Sequence, residues 1–416
     1  MLRTSLKSIG LMAVVATAAA LIPGKSANAT NGFLGICTGA KNCGMAGAGV
    51  ALPQDAASGA INPALMGRVK DQVFVSPGWF HPVRSLDRTG AVNAAGIVPA
   101  SVQVDEQSMM ENFPEGAAGL NYRLNDEMTA GLSIAGSGGM HTKYASPRSS
   151  AAGAGESSVR YRLAHATPNL TWSPNDWSTY GVGVQIGWSD FKTNMGTNPN
   201  FLETKGANHT ETAWGLGVRV GALWDVNEKL SIGATAASPT WFSRFDTYND
   251  LFEGSLDTPA NGAIGAVYKV TPDTDIAFDV KYIAWGAVFP MANTPRSTTV
   301  PGGGFGWNSE PVFTIGAQHR LNDTFTLRAG YNYGPSPIPD DKIFANALFP
   351  AITEHHVAAG FTYNASEKWD ISASGFYAFE NSQTDDGTGD YFSYAGEGVR
   401  VDMWQMGAQV GVSYNF

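Results

Sequence analysis

Few side chains in this 416-residue sequence are placed for catalysis. Glu354, His355 and His356 are consecutive and invite a metal-site interpretation, but neighbours on a strand point to opposite faces, so only one histidine would face an interior. No serine–histidine arrangement stands out that would indicate a hydrolase, and no nucleotide-binding motif is visible. We therefore expect neither an enzyme nor a bound metal or cofactor.

The N-terminus indicates export. Arg3 and Lys7 precede an apolar stretch over residues 9–22, and a small-residue cleavage site ends at Ala29. Residues 1–29 are therefore predicted to form a signal peptide; the alternative is an anchor helix, for which the apolar core is short. The chain is acidic, with 36 acidic and 26 basic residues, which disfavours nucleic acid as a partner.

Cys37 and Cys43 are the two cysteines, and both follow the predicted cleavage site. An oxidising periplasm would allow them to pair and close a short glycine-rich loop. A metal site is the weaker interpretation, because no histidine lies near them. We expect a structural disulfide.

Composition excludes several classes of protein. Charged residues make up only 15%, against roughly 25% in ordinary soluble domains, while aromatic residues reach 11% and glycine occurs 49 times. A disordered chain would carry fewer aromatic residues, and after the N-terminus there is no apolar run of about 18 residues typical of a membrane helix.

From residue 72 onward, apolar and small or polar residues alternate. Tyr180–Trp188 places tyrosine, valine, isoleucine and tryptophan on one face and glycine and glutamine on the other, and Trp404–Phe416 repeats the pattern. A soluble sandwich also alternates, but here the polar face is small and almost uncharged, and the apolar face ends in aromatic residues. This combination favours a transmembrane β-barrel with a polar lumen.

The connections allow the strands to be counted. Six short polar turns alternate with seven longer stretches, near residues 81–112, 138–156, 193–206, 241–258, 289–306, 334–351 and 381–396. Thirteen connections predict fourteen antiparallel strands over residues 71–416, closed because an open edge is costly in lipid. An even number places both termini on one side, the periplasm. Such a lumen is wide, so residues 30–70 are predicted to fill it as a hatch.

These residues resemble a known family. Gly44–Ala51, Asp55–Ala57 and Asn62-Pro63-Ala64 are similar to the hatch of the long-chain fatty-acid transporters (FadL/TodX type) of Gram-negative outer membranes. Further similarity follows in order along the mature chain, at residues 214–233, 270–285 and 328–356.

The resemblance implies passive uptake of long-chain fatty acids or related hydrophobic compounds, with capture by extracellular loops and lateral release through a kinked third strand. Asn62, Pro63 and Ala64 would form part of the gate, with the glycines after Met128: Gly136, Gly138 and Gly139. The alternative is that this strand simply ends there. The other functions considered are uptake of aromatic hydrocarbons and a polar-solute porin.

Aromatic and apolar residues in the loops are candidate ligand contacts, although they could equally pack the loops together. The candidates are Trp241, Phe242, Phe245, Tyr248 and Phe252 in one loop, Met109, Met110 and Phe113 in another, and Phe344, Leu348 and Phe349 in a third. Arg219, Arg328, Lys281 and Asp279 alternate with apolar neighbours and should face the lumen, where Arg219 and Arg328 could bind a carboxylate or all four could brace the hatch.

Beyond the transported compound, the expected partners are outer-membrane lipids, lipopolysaccharide and the barrel assembly machinery, which would recognise the C-terminal Phe416.

Overall fold

The computed structural model describes residues 31–88, 105–145, 156–194, 208–294, 304–388 and 398–416. The predicted signal peptide lies outside these residues. None of the helices within the described ranges has the length and apolar character needed to cross a membrane.

Fourteen antiparallel strands form one sheet that closes on itself, as the fold prediction required. They are β1 Gln72–Asp87, β2 Phe113–Arg123, β3 Met128–Tyr144, β4 Ser157–Asn175, β5 Ser178–Thr193, β6 Glu211–Asn227, β7 Leu230–Ala237, β8 Asn261–Thr271, β9 Thr274–Ile283, β10 Glu310–Arg320, β11 Phe325–Tyr333, β12 His355–Asn364, β13 Trp369–Thr384 and β14 Arg400–Asn415. Each strand pairs with its neighbours in sequence, and β14 pairs with β1 from Asn415↔Gln72 to Arg400↔Asp87. Two short segments extend the sheet: Asp105–Gln107 pairs with β1, and Trp241–Phe242 pairs with β6.

The period-two pattern becomes the two faces of the wall. Along β5, Val182, Val184 and Ile186 are exposed on the outside, whereas Gln185 and the neighbouring glycines are buried inside. An exposed belt of apolar side chains would be costly in water, and lipid contact removes that cost. Trp172, Tyr180 and Trp224 are in ring contact at one end of this belt, as expected of an aromatic girdle.

The six short turns lie at one end of the barrel, here called the turn end. Four of them are organised by an asparagine whose Oδ1 accepts from two backbone N–H groups that follow it, an Asx turn. These residues are Asn125, Asn175, Asn227 and Asn322. The barrel also begins and finishes here, where the backbone N–H of Phe416 donates to the carbonyl of Asp71 over 3.0 Å.

Residues 31–70 lie within the ring of strands and contact it on several sides. They contain the short helix α1 Gly39–Cys43 and two 3₁₀ turns, Ser58–Ala60 and Pro63–Arg68. The Ser76 hydroxyl of β1 accepts from the Ala40 N–H, and the Ser133 hydroxyl of β3 donates to the Ala56 carbonyl. We call this segment the hatch.

The longer connections lie at the opposite end, the loop end, and carry the remaining helical turns. These are Asp246–Tyr248, α2 Asn249–Phe252, Trp285–Ala287, α3 Phe289–Ala292, Asp340–Lys342 and Phe344–Asn346. The largest apolar cluster of the described residues is here, rather than in the lumen. Its side chains come from several loops, from the strands that lead into them and from the start of the hatch, so the cluster joins these segments.

Candidate functional site

The wall is interrupted between β2 and β3. Their ladder runs from Arg123↔Thr129 to Ala117↔Ala135 and then stops, although β3 continues to Tyr144 in register with β4. A register shift between Gly136 and Gly138 marks a bulge at the point of departure. The strand therefore does not end at the glycine cluster, as the alternative interpretation had it; it leaves its neighbour.

The first residues of the hatch occupy the inner side of this interruption. The N–H of Gly35 donates to the carbonyl of Ser137 over 3.0 Å, and the N–H of Gly139 donates to the carbonyl of Phe33 over 2.9 Å. A Cβ at Gly138 would lie 2.2 Å from that Phe33 oxygen, and Gly139 has a φ of +153°. The glycines therefore permit both the bend and the close approach of the hatch backbone.

The interruption is a bounded window rather than an open seam. Towards the loop end, the N–H of Met109 donates to the carbonyl of Lys143 over 2.8 Å, and Arg84 of β1 reaches across to the carbonyl of His141. Phe113 is buried beside the window, with its ring 5.7 Å from that of His141. The part of β2 that faces the window stays in the wall through its pairing with β1, for example Pro114↔Trp79.

Two cavities meet at the hatch. The lumenal cavity, of about 140 Å³, extends into the barrel, and the window cavity lies behind the interruption in the wall. Both are lined by Gly35, Ile36, Cys37 and Thr38 of the hatch and by Ala135 and Gly136 of β3. Residues 35–38 therefore border both cavities.

Cys37 and Cys43 are bonded to each other, with Sγ atoms 2.06 Å apart, and the closed loop contains α1. Lys41 within this loop forms an ion pair with Asp370 of β13, at 2.9 Å between Nζ and Oδ1. Both side chains are almost fully buried, so the pair attaches the disulfide loop to β13.

Asn62, Pro63 and Ala64 attach the hatch to β4 and β6. The Asn62 amide donates to the carbonyls of Val50 and Ala222, and its Oδ1 accepts from the Ala64 N–H over 3.0 Å. The carbonyl of Pro63 accepts from the Thr171 hydroxyl over 2.7 Å. These residues lie away from the window, so their contacts anchor the hatch rather than line the interruption.

The four predicted lumenal charges lie inside the barrel and face the hatch. Asp279 accepts from the N–H groups of Gly49 and Val50 at 2.7 and 3.0 Å, and Arg219 donates to the Ile61 carbonyl over 3.1 Å. Arg328 donates to Thr362 beside the hatch, and Lys281 lines the lumenal cavity. Asp279 therefore braces the hatch, whereas Arg219 and Lys281 border the lumenal cavity, where a ligand carboxylate could reach them.

His355 and His356 occupy opposite faces of β12. His355 stacks on Tyr333 outside, with ring centroids 4.8 Å apart, whereas His356 is buried inside. The described residues contain no group of three or more potential metal ligands.

A family model described as outer membrane protein transport protein (OMPP1/FadL/TodX) matches residues 24–416. The chain belongs to this family. It is therefore an outer-membrane barrel of the FadL/TodX type, a family of channels for hydrophobic compounds rather than enzymes.

Solved structures agree on the fold. The toluene transporter TodX of Pseudomonas putida superposes with a TM-score of 0.67 at 18% identity, over 93% of this chain and 100% of that one. A FadL homologue of Pseudomonas aeruginosa gives 0.64 at 15% identity, over 92% and 100%. A putative outer membrane protein of Neisseria meningitidis is 21% identical over 197 residues, which span 39% of this chain and only 41% of that relative.

In this FadL/TodX barrel the candidate loop residues are mostly buried against one another. Phe245, Tyr248 and Phe252 pack around Phe191, and Phe344, Leu348 and Phe349 belong to the same cluster. Phe242 is buried at its edge, Met110 is partly buried, and Trp241 and Met109 are exposed.

Sequence reasoning missed the centre of this cluster. Phe33 of the hatch lies 4.5 Å from Trp285 and 5.2 Å from Tyr161, measured between ring centroids, and Trp307 packs against Trp285. The apolar Phe33-Leu34 pair at the start of the hatch was the available signal. The same residue thus contacts the loop cluster through its ring and β3 through its carbonyl.

Proposed function

We propose that this protein mediates passive uptake of hydrophobic compounds, with long-chain fatty acids as the first candidates, and that they leave through the window between β2 and β3. The supporting observation is the window itself: a bounded interruption of the wall whose cavity shares residues 35–38 of the hatch and Ala135 and Gly136 of β3 with the lumenal cavity. A route that ends within the wall delivers an apolar molecule into lipid.

The energetics favour a lateral exit for such a molecule. Each methylene transferred from water to lipid contributes about 0.8 kcal/mol, so a long acyl chain gains more in the membrane than along a polar lumen. Elsewhere in the lumen, by contrast, Asn62 and Asp279 attach the hatch to β6 and β9. Partition and affinity suffice as the driving force, and no nucleotide is required.

Entry would begin at the loop end, which we assign to the outside, with the turn end and both termini in the periplasm. Trp241 and Met109 are exposed and can make the first contacts. The buried cluster around Phe33 would then have to part, which would also loosen the carbonyl contact of Phe33 with Gly139. We propose that the cluster acts as a cover as well as a binding surface.

The test is uptake of labelled oleate by cells that lack their own transporter, comparing the unaltered protein with Gly136→Phe. A Cβ at Gly136 would meet no atom closer than the Gly116 carbonyl oxygen at 3.8 Å, so the backbone accepts a side chain there, and a phenyl ring at this position of the window lining should obstruct the passage. We expect saturable uptake by the unaltered protein and loss of most of that uptake in the variant, since one blocked exit removes the route.

The matched control is Gly262→Phe, which adds the same ring on the outer surface of β8, where the nearest atom to a Cβ is 3.7 Å away. It should transport normally. Equal uptake by both variants at equal surface amounts would exclude the window as the exit. Absence of oleate uptake by the unaltered, correctly inserted barrel would exclude oleate as a substrate.

Single-ring hydrocarbons are the second candidate. The lumenal cavity of about 140 Å³ is close to the roughly 150 Å³ that holds benzene in an engineered protein cavity, and the toluene transporters of Pseudomonas putida and Ralstonia pickettii share the fold. Labelled toluene in the same cells distinguishes the candidates. A polar-solute porin would instead show steady ion conductance in a planar bilayer, which the docked hatch should prevent.

A further inference from the structure

A carboxylate lies at the window. Glu115 of β2 lines the window cavity, and its Oε1 accepts a hydrogen bond of 2.9 Å from the Gln409 amide of β14. Gln409 in turn accepts from the Ser76 hydroxyl of β1 over 3.1 Å. The carboxylate is therefore held by side chains of two neighbouring strands.

The wall provides room for this arrangement. Gly78 of β1 lies opposite both Glu115 and Gln409 in the two ladders. A Cβ at Gly78 would be 2.7 Å from Cγ of Gln409 and 3.0 Å from Cγ of Glu115. Any larger residue would push the two side chains apart, so the glycine allows them to meet on the inner face.

The remainder of the window cavity is apolar or backbone. Phe80 and Phe376 line it from the barrel side, Gly116 and Gly136 from the strands that separate, and the disulfide-bonded Cys37 from the hatch. Among the described residues of this lining, Glu115 has the only ionisable side chain. The lumenal cavity differs, because Arg219 and Lys281 line it together with Asp279.

We infer that Glu115 makes the window selective for uncharged molecules. This deepens the proposed function and rests on it: an apolar compound without charge passes the carboxylate freely, whereas an anion meets a like charge in a passage with little water, where repulsion is strong. A fatty acid would accordingly cross the window in its protonated form, and neutral hydrocarbons, alcohols and esters would cross unhindered.

The experiment compares two probes that differ only in their head group, labelled oleate and labelled oleyl alcohol, at pH 8 in cells carrying the unaltered protein or Glu115→Gln. Each initial rate is divided by the rate of the unaltered protein for the same probe, which removes differences in later metabolism. Glutamine can still accept the bond from Gln409. We expect oleate uptake to rise about tenfold while that of oleyl alcohol changes less than about twofold.

Two further variants separate charge from shape. Glu115→Asp keeps the charge and should keep discrimination against oleate, whereas Thr38→Lys adds a cation to the hatch lining of both cavities and should raise oleate uptake with Glu115 in place. Glu228→Gln, at an exposed turn, makes the same chemical change as Glu115→Gln and should have no effect. Heat-modifiable mobility on gels shows that each barrel is folded.

The inference would be overturned if the ratio of oleate uptake to oleyl alcohol uptake were the same in folded Glu115→Gln, folded Thr38→Lys and the unaltered protein. The proposed function would then still stand. Uptake of neither probe by the unaltered protein, with toluene also excluded, would overturn the proposed function instead.

Discussion

Single residues decide where the hatch touches the wall. Gly221 of β6 lies against Asn62, since a Cβ there would be 1.8 Å from the Asn62 Oδ1, and a Cβ at Gly181 of β5 would be 2.4 Å from the carbonyl carbon of Pro63. In the sequence these glycines are only the small members of an alternating pattern. In the barrel they are the positions at which the hatch packs directly against the backbone of the wall.

Asp55 carries a prediction about pH. The hatch carboxyl is buried, and burial raises its pKa from 3.8 to about 6, although the nearby Lys41 lowers it in part. Asp370 and Arg328 also act on it, with opposite effects on its pKa. The folded state binds this proton more tightly than the unfolded state does, so the protonated carboxyl stabilises the folded protein. This stabilisation is complete below about pH 4, and about 3 kcal/mol of it is lost as the pH rises through 6.

We therefore expect openings of the hatch, recorded as ion conductance in planar bilayers, to be rarer at pH 4.5 than at pH 7.5, and Asp55→Asn to remove most of this difference. Asp126→Asn at an exposed turn should leave it unchanged. The same pH dependence in Asp55→Asn as in the unaltered protein would contradict the assignment.

At the scale of elements, the window results from β3 following β4 rather than β2. The disulfide loop, residues 37–43, contributes to the lining of both the window cavity and the lumenal cavity, and we call it the partition. Closing a loop of this length lowers the conformational entropy of the unfolded chain, which adds about 2 kcal/mol to the free energy of unfolding. The partition is therefore stiffened locally, while the long ladders of the barrel do not depend on it.

Cys37→Ser with Cys43→Ser should loosen that partition without unfolding the barrel. We expect more frequent conductance openings and faster leakage of hydrophobic antibiotics into cells, with heat-modifiable mobility retained. A thiol reductant applied to the unaltered protein should reproduce the effect and should do nothing to the double variant. Identical conductance in all three cases would mean that the loop is held by Lys41 and its other contacts alone.

For the whole molecule, a ring of fourteen strands encloses more space than its own inward side chains fill. The hatch occupies that space, and it contacts the wall through polar groups such as Asp279 and Asn121 and through three separate apolar clusters rather than one continuous core. The strands, however, pair with one another all the way round. The barrel and its hatch are therefore separable in principle.

Deletion of residues 31–69 should leave an inserted barrel and convert it into an open pore. Steady ion conductance in planar bilayers would be expected, against a nearly silent unaltered channel, and saturable uptake should give way to diffusion. A silent membrane containing the correctly folded deletion variant would show that the loop cluster alone closes the lumen.

Much of this architecture was predictable, because it depends on local rules. Tyr180–Trp188 alternates since successive strand residues face lipid and lumen, and each Asx turn is organised within a few residues. The predicted count of fourteen followed from such turns. The site was less predictable: Phe245 and Phe349 resemble surface ligand contacts in the sequence but lie in a shared cluster, since burial depends on loops far apart in the chain.

The sequence by itself determined an exported, closed barrel with a small-residue segment ahead of its first strand, because strand period, turn chemistry and composition are local properties. Only the tertiary structure decided that β3 parts from β2 after Ala135, that Phe33 reaches both the loop cluster and β3, and that Glu115 faces the opening. These features depend on which surfaces of distant segments meet when the ring closes around the hatch, and the local sequence pattern does not specify those contacts.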